Sequence, residues 1–207
     1  MNHHIWENVL SFWLENPATT GHGLTLKIQR WYQGTPELDL EIDTRFGNVV
    51  ERALDGGHED WTDTPRGSLA LIIVLDQFAR NLHRGTRRAH AGDARALALA
   101  LRMLERGETA AFELEAQLFA IMPLVHAEDL KMQDRAVALA DQMVASATNE
   151  DLRAVWSTGA TRTRYYRDII RRFGRFPGRN IALGRVSTRQ ELAFLRGEDE
   201  APAQSNP

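Results

Sequence analysis

The chain has 207 residues, 43% of them hydrophobic, which is enough to bury one sizeable core and does not demand a second domain. With no cysteine it has no disulfide framework, thiolate nucleophile or cysteine-bound metal, and a net charge of −3 gives no global attraction for nucleic acid. The longest apolar run, LALIIVL at 69–75, is far too short to span a bilayer, and no signal segment opens the chain, so a soluble cytoplasmic protein with no membrane contact is expected.

Apolar residues recur at three- and four-residue spacing and never in strict alternation, so the chain reads as all-α throughout. A first short helix is expected at 5–14, ended by Asn16-Pro17 and followed by a Gly-rich turn through Gly23. A second follows at about 24–32, and a third runs from about Leu38 to Leu54 and stops at Gly56-Gly57. Pro65 suits a first helical turn, where its missing N–H costs nothing, and predicts a fourth helix to about Leu82. Alanine-rich helices at 91–106 and 110–121 come next, then a helix opened by Pro123 and reaching Ala145, then a long basic one at 150–172. Ser187 and Gln190 have the spacing of a capping box for a last helix to Leu195. This gives about nine helices in one domain over 1–196, with short connections that suit an antiparallel helix-pair array, and a disordered tail at 197–207. No fixed-period repeat is visible.

Three polar blocks interrupt the apolar helices. In DQFARN, Asp76 and Arg80 continue the stripe of Leu69, Ile72 and Ile73, and Asp76–Arg80 and Gln77–Asn81 both stand at i, i+4. Such a pair either orients helices or lines a pocket in which a guanidinium fork holds a carboxylate or phosphate. In PLVHAEDL, residues His126, Glu128 and Asp129 fall in the first turn after Pro123, and His126, Asp129 and Gln133 would share a face at i, i+3, i+7. An imidazole oriented by a carboxylate is suited to proton transfer near neutral pH, although a lone histidine is more often structural. In FGRFPGRN, Gly174 and Gly178 permit left-handed backbone, Pro177 stiffens the turn, and Phe173 and Phe176 anchor it. Arg175, Arg179 and Asn180 are left to face whatever the loop covers, and Arg185 follows closely. The loop is either an anion clamp or a latch whose arginines pair with Asp76, Glu128 or Asp129.

Eleven arginines lie between 151 and 196 against Asp151, Asp168 and Glu191. RNA binding along Arg162, Arg164, Arg167, Arg171 and Arg172 is disfavoured, because Asp168 sits in their stripe while Ile169, Ile170 and Phe173 must face inward. The seven histidines contain no metal-binding pair at helical spacing, His3-His4 lies in a terminus, and phosphate-loop, dinucleotide and serine-elbow motifs are missing, so neither metal nor cofactor is expected.

The strings VLSFW, GSLALIIVLDQFARN, RDIIRRFGRFPGRNIALGR and TRQELAFL together resemble the bacterial family called domain of unknown function 924 over most of the chain. That resemblance implies an all-helical, tetratricopeptide-like fold and a shared polar cavity built from the three blocks, and it implies no known reaction. In the family pattern a histidine stands at the positions of Tyr166 and Gly178 and a proline at Ala79, while His126 is kept. Tyr166 therefore joins Gln77, Arg80, Asn81, Gln133, Arg175, Arg179 and Asn180 as an expected ligand-binding residue, with His126, Glu128, Asp129 and Asp76 as the acid–base group. The expected ligand is a small anionic molecule. The alternative is a protein- or peptide-binding scaffold without catalysis, anchored by Trp6, Trp13, Trp31, Tyr32 or Trp156.

Overall fold

A computed structural model describes residues 4–14 and 20–198; the expected helix stop at Asn16-Pro17, the first member of the His3-His4 pair and tail residues 199–207 lie outside them. Among the described residues there is no strand, and ten helices follow one another. None of these helices is long and apolar enough to cross a membrane. Contacts gather the described residues into two compact units, the first drawn from 4–84 and 88–123 and the second from 85–87 and 124–198.

The first unit opens with α1 (Ile5–Leu14) and α2 (Gly21–Gln33). The glycines expected as a turn instead form the first turn of α2, because the Thr20 hydroxyl accepts the Gly23 N–H at 3.1 Å and caps the helix three residues early. Helix α3 (Pro36–Leu54) starts the same way, with Thr35 as cap and a proline at a position that needs no N–H. Helix α4 begins as Pro65–Ile72 under a Thr64 cap, widens into a π-helical stretch at Ile73–Phe78, and ends as Ala79–Leu82. The widened turn is marked by the Ala79 N–H reaching the Val74 carbonyl, five residues back. Neither proline nor glycine signals it in the sequence.

Helices α5 (Asp93–Glu105) and α6 (Leu114–His126) complete this unit, the last residues of α6 belonging to the second. Its core is aromatic. Trp13 meets Phe78 edge-on at 5.2 Å and Phe119 at 5.8 Å, and Phe46 closes on Phe12 at 5.2 Å. Trp31 packs on Phe119 at 4.8 Å while its indole N–H reaches the Trp13 carbonyl at 2.9 Å. Trp13, Trp31 and Trp156 are thus core residues and not surface anchors, whereas Tyr32 is exposed.

In the second unit, α7 (Leu130–Ala145) and α8 (Glu150–Phe173) form a hairpin, followed by the single turn α9 (Asn180–Leu183) and by α10 (Arg189–Leu195). Gly174 ends α8 in the left-handed region at φ 69°, as expected of that glycine, whereas Gly178 does not adopt positive φ. The capping box of α10 is real but lies one residue later than expected, in Thr188 and Glu191.

Pro123 does not open a helix. It sits inside α6, which runs on to His126, and a break at residues 127–129 precedes α7. The break is closed by Gln133, fully buried, whose amide donates to the carbonyls of Val125 at 2.7 Å and Ala127 at 2.8 Å, with a longer contact to Leu124. The Val125 and Ala127 carbonyls fall where helical partners run out at the end of α6, and one side chain satisfies both. Replacing Gln133 with alanine should cost about 1–3 kcal/mol in urea denaturation; an unchanged midpoint would show that water serves these carbonyls equally well.

Candidate functional site

The broken helix decides where the HAED residues go. His126 stands half-buried in the last turn of α6 and Glu128 lies in the connector. Asp129 caps α7, its carboxylate taking the N–H groups of Lys131 at 2.8 Å and Met132 at 3.1 Å. The expected shared face of His126, Asp129 and Gln133 therefore does not form, because the three residues are not on one helix and two of them serve backbone groups. Pro123 misled this reading: a proline within a helix removes one hydrogen bond, and here the flanking packing tolerates the loss.

Glu128 instead organises the FGRFPGRN loop. Its carboxylate receives a two-pronged contact from Arg185 at 2.6 and 3.0 Å and accepts the Phe176 N–H at 2.8 Å. Arg185 also reaches the Asn180 side-chain oxygen at 3.0 Å and the Phe176 carbonyl at 3.2 Å, so both backbone polar groups of Phe176 are held. Burial alone would raise the Glu128 carboxyl; the Arg185 fork, the Phe176 N–H and the Arg179 charge outweigh it and keep the group below the ordinary carboxylate range.

A second fork lies at the other end of the loop. Arg175 holds Glu191 at 2.6 and 2.9 Å, and its Nη2 also reaches the Val186 carbonyl. Glu191 is buried and closes the capping box of α10 by accepting the Thr188 N–H at 2.7 Å. The Arg175 hydrogen bonds, working against burial, pull the Glu191 carboxyl down to about 2, with help from the Thr188 N–H and Asn180. Asn180 is buried and donates to the Ser187 hydroxyl at 3.0 Å. The Arg179 guanidinium lies over the Phe176 ring at 4.5 Å from the centroid, with Tyr166 edge-on to the same ring at 5.9 Å.

In the first unit the DQFARN block falls in and after the π-helical stretch. Asp76 is fully buried, pairs with Arg80 at 3.1 Å and accepts the Gln77 amide at 2.6 Å. Arg80 also donates to the Asp76 carbonyl at 2.7 Å and approaches Asp93 at 2.9 Å, the latter without hydrogen-bond alignment. Gln77 and Asn81 do not pair. Five-residue spacing in the widened turn separates them, and Asn81 donates to Asp39 on α3 at 2.7 Å. On the basic helix, Asp168 takes Arg167 at 3.0 Å and Arg171 at 2.7 Å, and Arg164 pairs with Asp141 on α7.

One cavity holds side chains that the three blocks only graze. It is a groove of about 640 Å³ between α3 and the end of α4, with Asn81 the one expected site residue on its wall. There Arg84 grips Asp39 through two bonds of 3.0 Å, and the His83 ring lies 2.8 Å from Glu51, which Arg88 also holds. The Arg88 hydrogen bond lowers Glu51 against its burial, and Arg84 and Asn81 do the same for Asp39. Among the described residues no three His, Asp or Glu side chains gather as metal ligands would.

The profile described as bacterial protein of unknown function, DUF924, matches residues 9–199. A solved structure of a protein of unknown function from Agrobacterium tumefaciens is similar at 28% identity and a TM-score of 0.75, covering 93% of this chain and 97% of that one. No curated protein matches the chain.

The depressed Glu191 carboxyl fixes a pH dependence. Its folded value of about 2 lies below the ordinary glutamate value of 4.5, so the stabilisation is complete above that ordinary value and is lost as pH falls towards 2. Wild type should lose stability across that window, and Glu191→Gln should flatten the loss while lowering stability at pH 7 by about 1–3 kcal/mol; parallel pH profiles for the two proteins would contradict it.

Proposed function

The chain belongs to the bacterial family of unknown function DUF924, and we propose that its connector and FGRFPGRN loop form a binding site for a small anionic molecule. What supports the reading is the concentration of guanidinium charge in and just after one ordered loop. The Arg175 and Arg185 forks are spent on Glu191 and Glu128, and their role is to hold the loop in shape. The Arg179 guanidinium is oriented over the Phe176 ring, and its charge acts on Glu128 as well. Arg175, Arg179 and Arg185 also outnumber Glu128 and Glu191 by three charges to two, so the loop carries a positive surplus.

On this reading Arg179 is the clamp, Tyr166 packs on the same Phe176 ring and contributes a ligand contact, and Asn180 and Arg175 keep the backbone in place. If the ligand is turned over, His126 is the group for proton transfer, because Glu128 is held ionised by Arg185 and Asp129 is spent as a helix cap. The same reading takes the protein as cytoplasmic and its helices as tetratricopeptide-like pairs, of which the α7–α8 hairpin is the clearest.

A second reading, a protein- or peptide-binding scaffold without catalysis, is favoured by Ile181 and Val186, which are 91% and 88% exposed on the segment that follows the loop.

Thermal denaturation with phosphate, sulfate and citrate tests the clamp. Arg179→Ala should abolish anion-induced stabilisation and leave the unliganded melting temperature nearly unchanged, whereas Arg185→Ala should lower it through a loss of about 1–3 kcal/mol, because Glu128 loses its counter-charge. Anion stabilisation that survives Arg179→Ala would sink the anion site, and a partner whose capture is lost in Ile181→Ser/Val186→Ser but kept in Arg179→Ala would favour the scaffold. For the proton-transfer role, His126→Gln should keep the fold and anion binding while removing any turnover, since glutamine hydrogen-bonds but does not exchange a proton near neutral pH.

A further inference from the structure

We propose that residues 185–188, with the α9 turn before them, form a docking edge for a short extended peptide of another protein, one that carries aliphatic and acidic side chains in alternation. The proposal gives the scaffold reading a partner of stated chemistry and rests on that reading, not on the anion site.

The backbone sets the shape. From Arg185 to Thr188 the chain makes no helix, turn or bend, and its side chains alternate like those of a strand. Arg185 and Ser187 face inward, Arg185 onto Glu128 and the Ser187 hydroxyl onto the Asn180 amide. Val186 and Thr188 face outward, Val186 at 88% exposure. The inward contacts, together with Arg175 on the Val186 carbonyl, hold the segment in place. Between the two outward side chains, the Ser187 N–H makes no hydrogen bond with any described residue. An ordered, strand-like segment with an idle backbone donor is the kind of edge beside which an extended peptide pairs.

The neighbours select the occupant. Ile181, on the single turn α9, is 91% exposed, so this short stretch holds the two most exposed large hydrophobic residues of the described chain. No Asp or Glu occurs between 175 and 190, while Arg87 and Arg189 are exposed and pair with no carboxylate among the described residues. Arg87 donates instead to the Leu183 carbonyl at 2.7 Å, which sets its charge against α9, and Arg189 opens α10. Positive charge therefore flanks the apolar pair. Acidic side chains complement these arginines, and aliphatic ones cover Ile181 and Val186. An anionic lipid surface would call for exposed aromatic wedges, and the exposed large hydrophobic residues of 181–195 are all aliphatic.

Fluorescence anisotropy of the full-length protein with a labelled peptide alternating glutamate and valine tests the edge, against lysine–valine and glutamate–serine counterparts. The first should bind saturably, move the amide signals of residues 181–189 and slow exchange of the Ser187 N–H; the other two should not bind. Ile181→Ser/Val186→Ser should weaken binding about tenfold and Arg189→Glu about threefold, with melting temperatures unchanged because these side chains lie in water. Arg179→Ala, the variant that tests the anion site, should leave peptide affinity intact. Equal binding of the lysine peptide, or undiminished binding to Ile181→Ser/Val186→Ser, would overturn the docking edge. Self-association of the free protein that the double change abolishes would give the face to a second copy, and sedimentation with phosphatidylglycerol vesicles without peptide binding would give it to lipid; either result overturns the peptide. Lysate capture that needs Ile181 and Val186, with none of these peptides bound, would keep the scaffold reading and refute the acidic partner.

Discussion

Much of the second unit depends on a carboxylate that belongs to no helix. Glu128 lies in the break after α6 and receives three short contacts, two from Arg185 and one from the Phe176 N–H. A loop with two glycines and a proline has little internal reason to hold one shape. Tying its middle to a charged connector supplies that reason, and charge-assisted bonds are the strong kind. From this one tie the rest follows: Phe176 is placed where Tyr166 and Arg179 pack on it, and Arg185 is brought against Asn180. The second fork, Arg175 on Glu191, then joins the start of the loop to the cap of α10.

The helices were legible because helix-forming periodicity and stop signals are local properties. The ends of α1 and α4 and the long α8 were readable from apolar spacing, Pro65 and Gly174. Errors came where one residue type has two uses. Gly21 and Gly23 looked like a turn until the Thr20 hydroxyl is counted, and Pro123 looked like a start until Gln133 is seen to serve the end of the same helix. Both depend on a side chain reaching a particular backbone group, which spacing alone does not reveal.

The candidate site was legible in its residue types and not in its pairings. Glu128 and the loop arginines were recognisable as polar interruptions, and Glu128 as a latch partner was among the readings. That Arg175 would take Glu191, sixteen residues on, has no local signature. The Asp39, Glu51 and His83 wall was missed because its residues come from helices whose pairing no short-range pattern encodes. The two positions expected to depart from the family pattern look different in space: Tyr166 packs on Phe176, whereas a Cβ built at Gly178 meets no atom within 4 Å beyond its chain neighbours.

The widened turn of α4 has a consequence for register. A helix advances about 100° per residue, so one extra residue in the turn resets the direction in which everything after it points. Asn81, Leu82, His83 and Arg84 reach α3 with the phase set by Ile73–Phe78, although that stretch is itself wholly buried and touches none of the groove. Winding the same six residues as an ordinary α-helix would swing those four side chains roughly 100° around the axis, with every groove residue still present. The winding of the stretch from 73 to 78 is thus as much a part of the groove as the residues that line it.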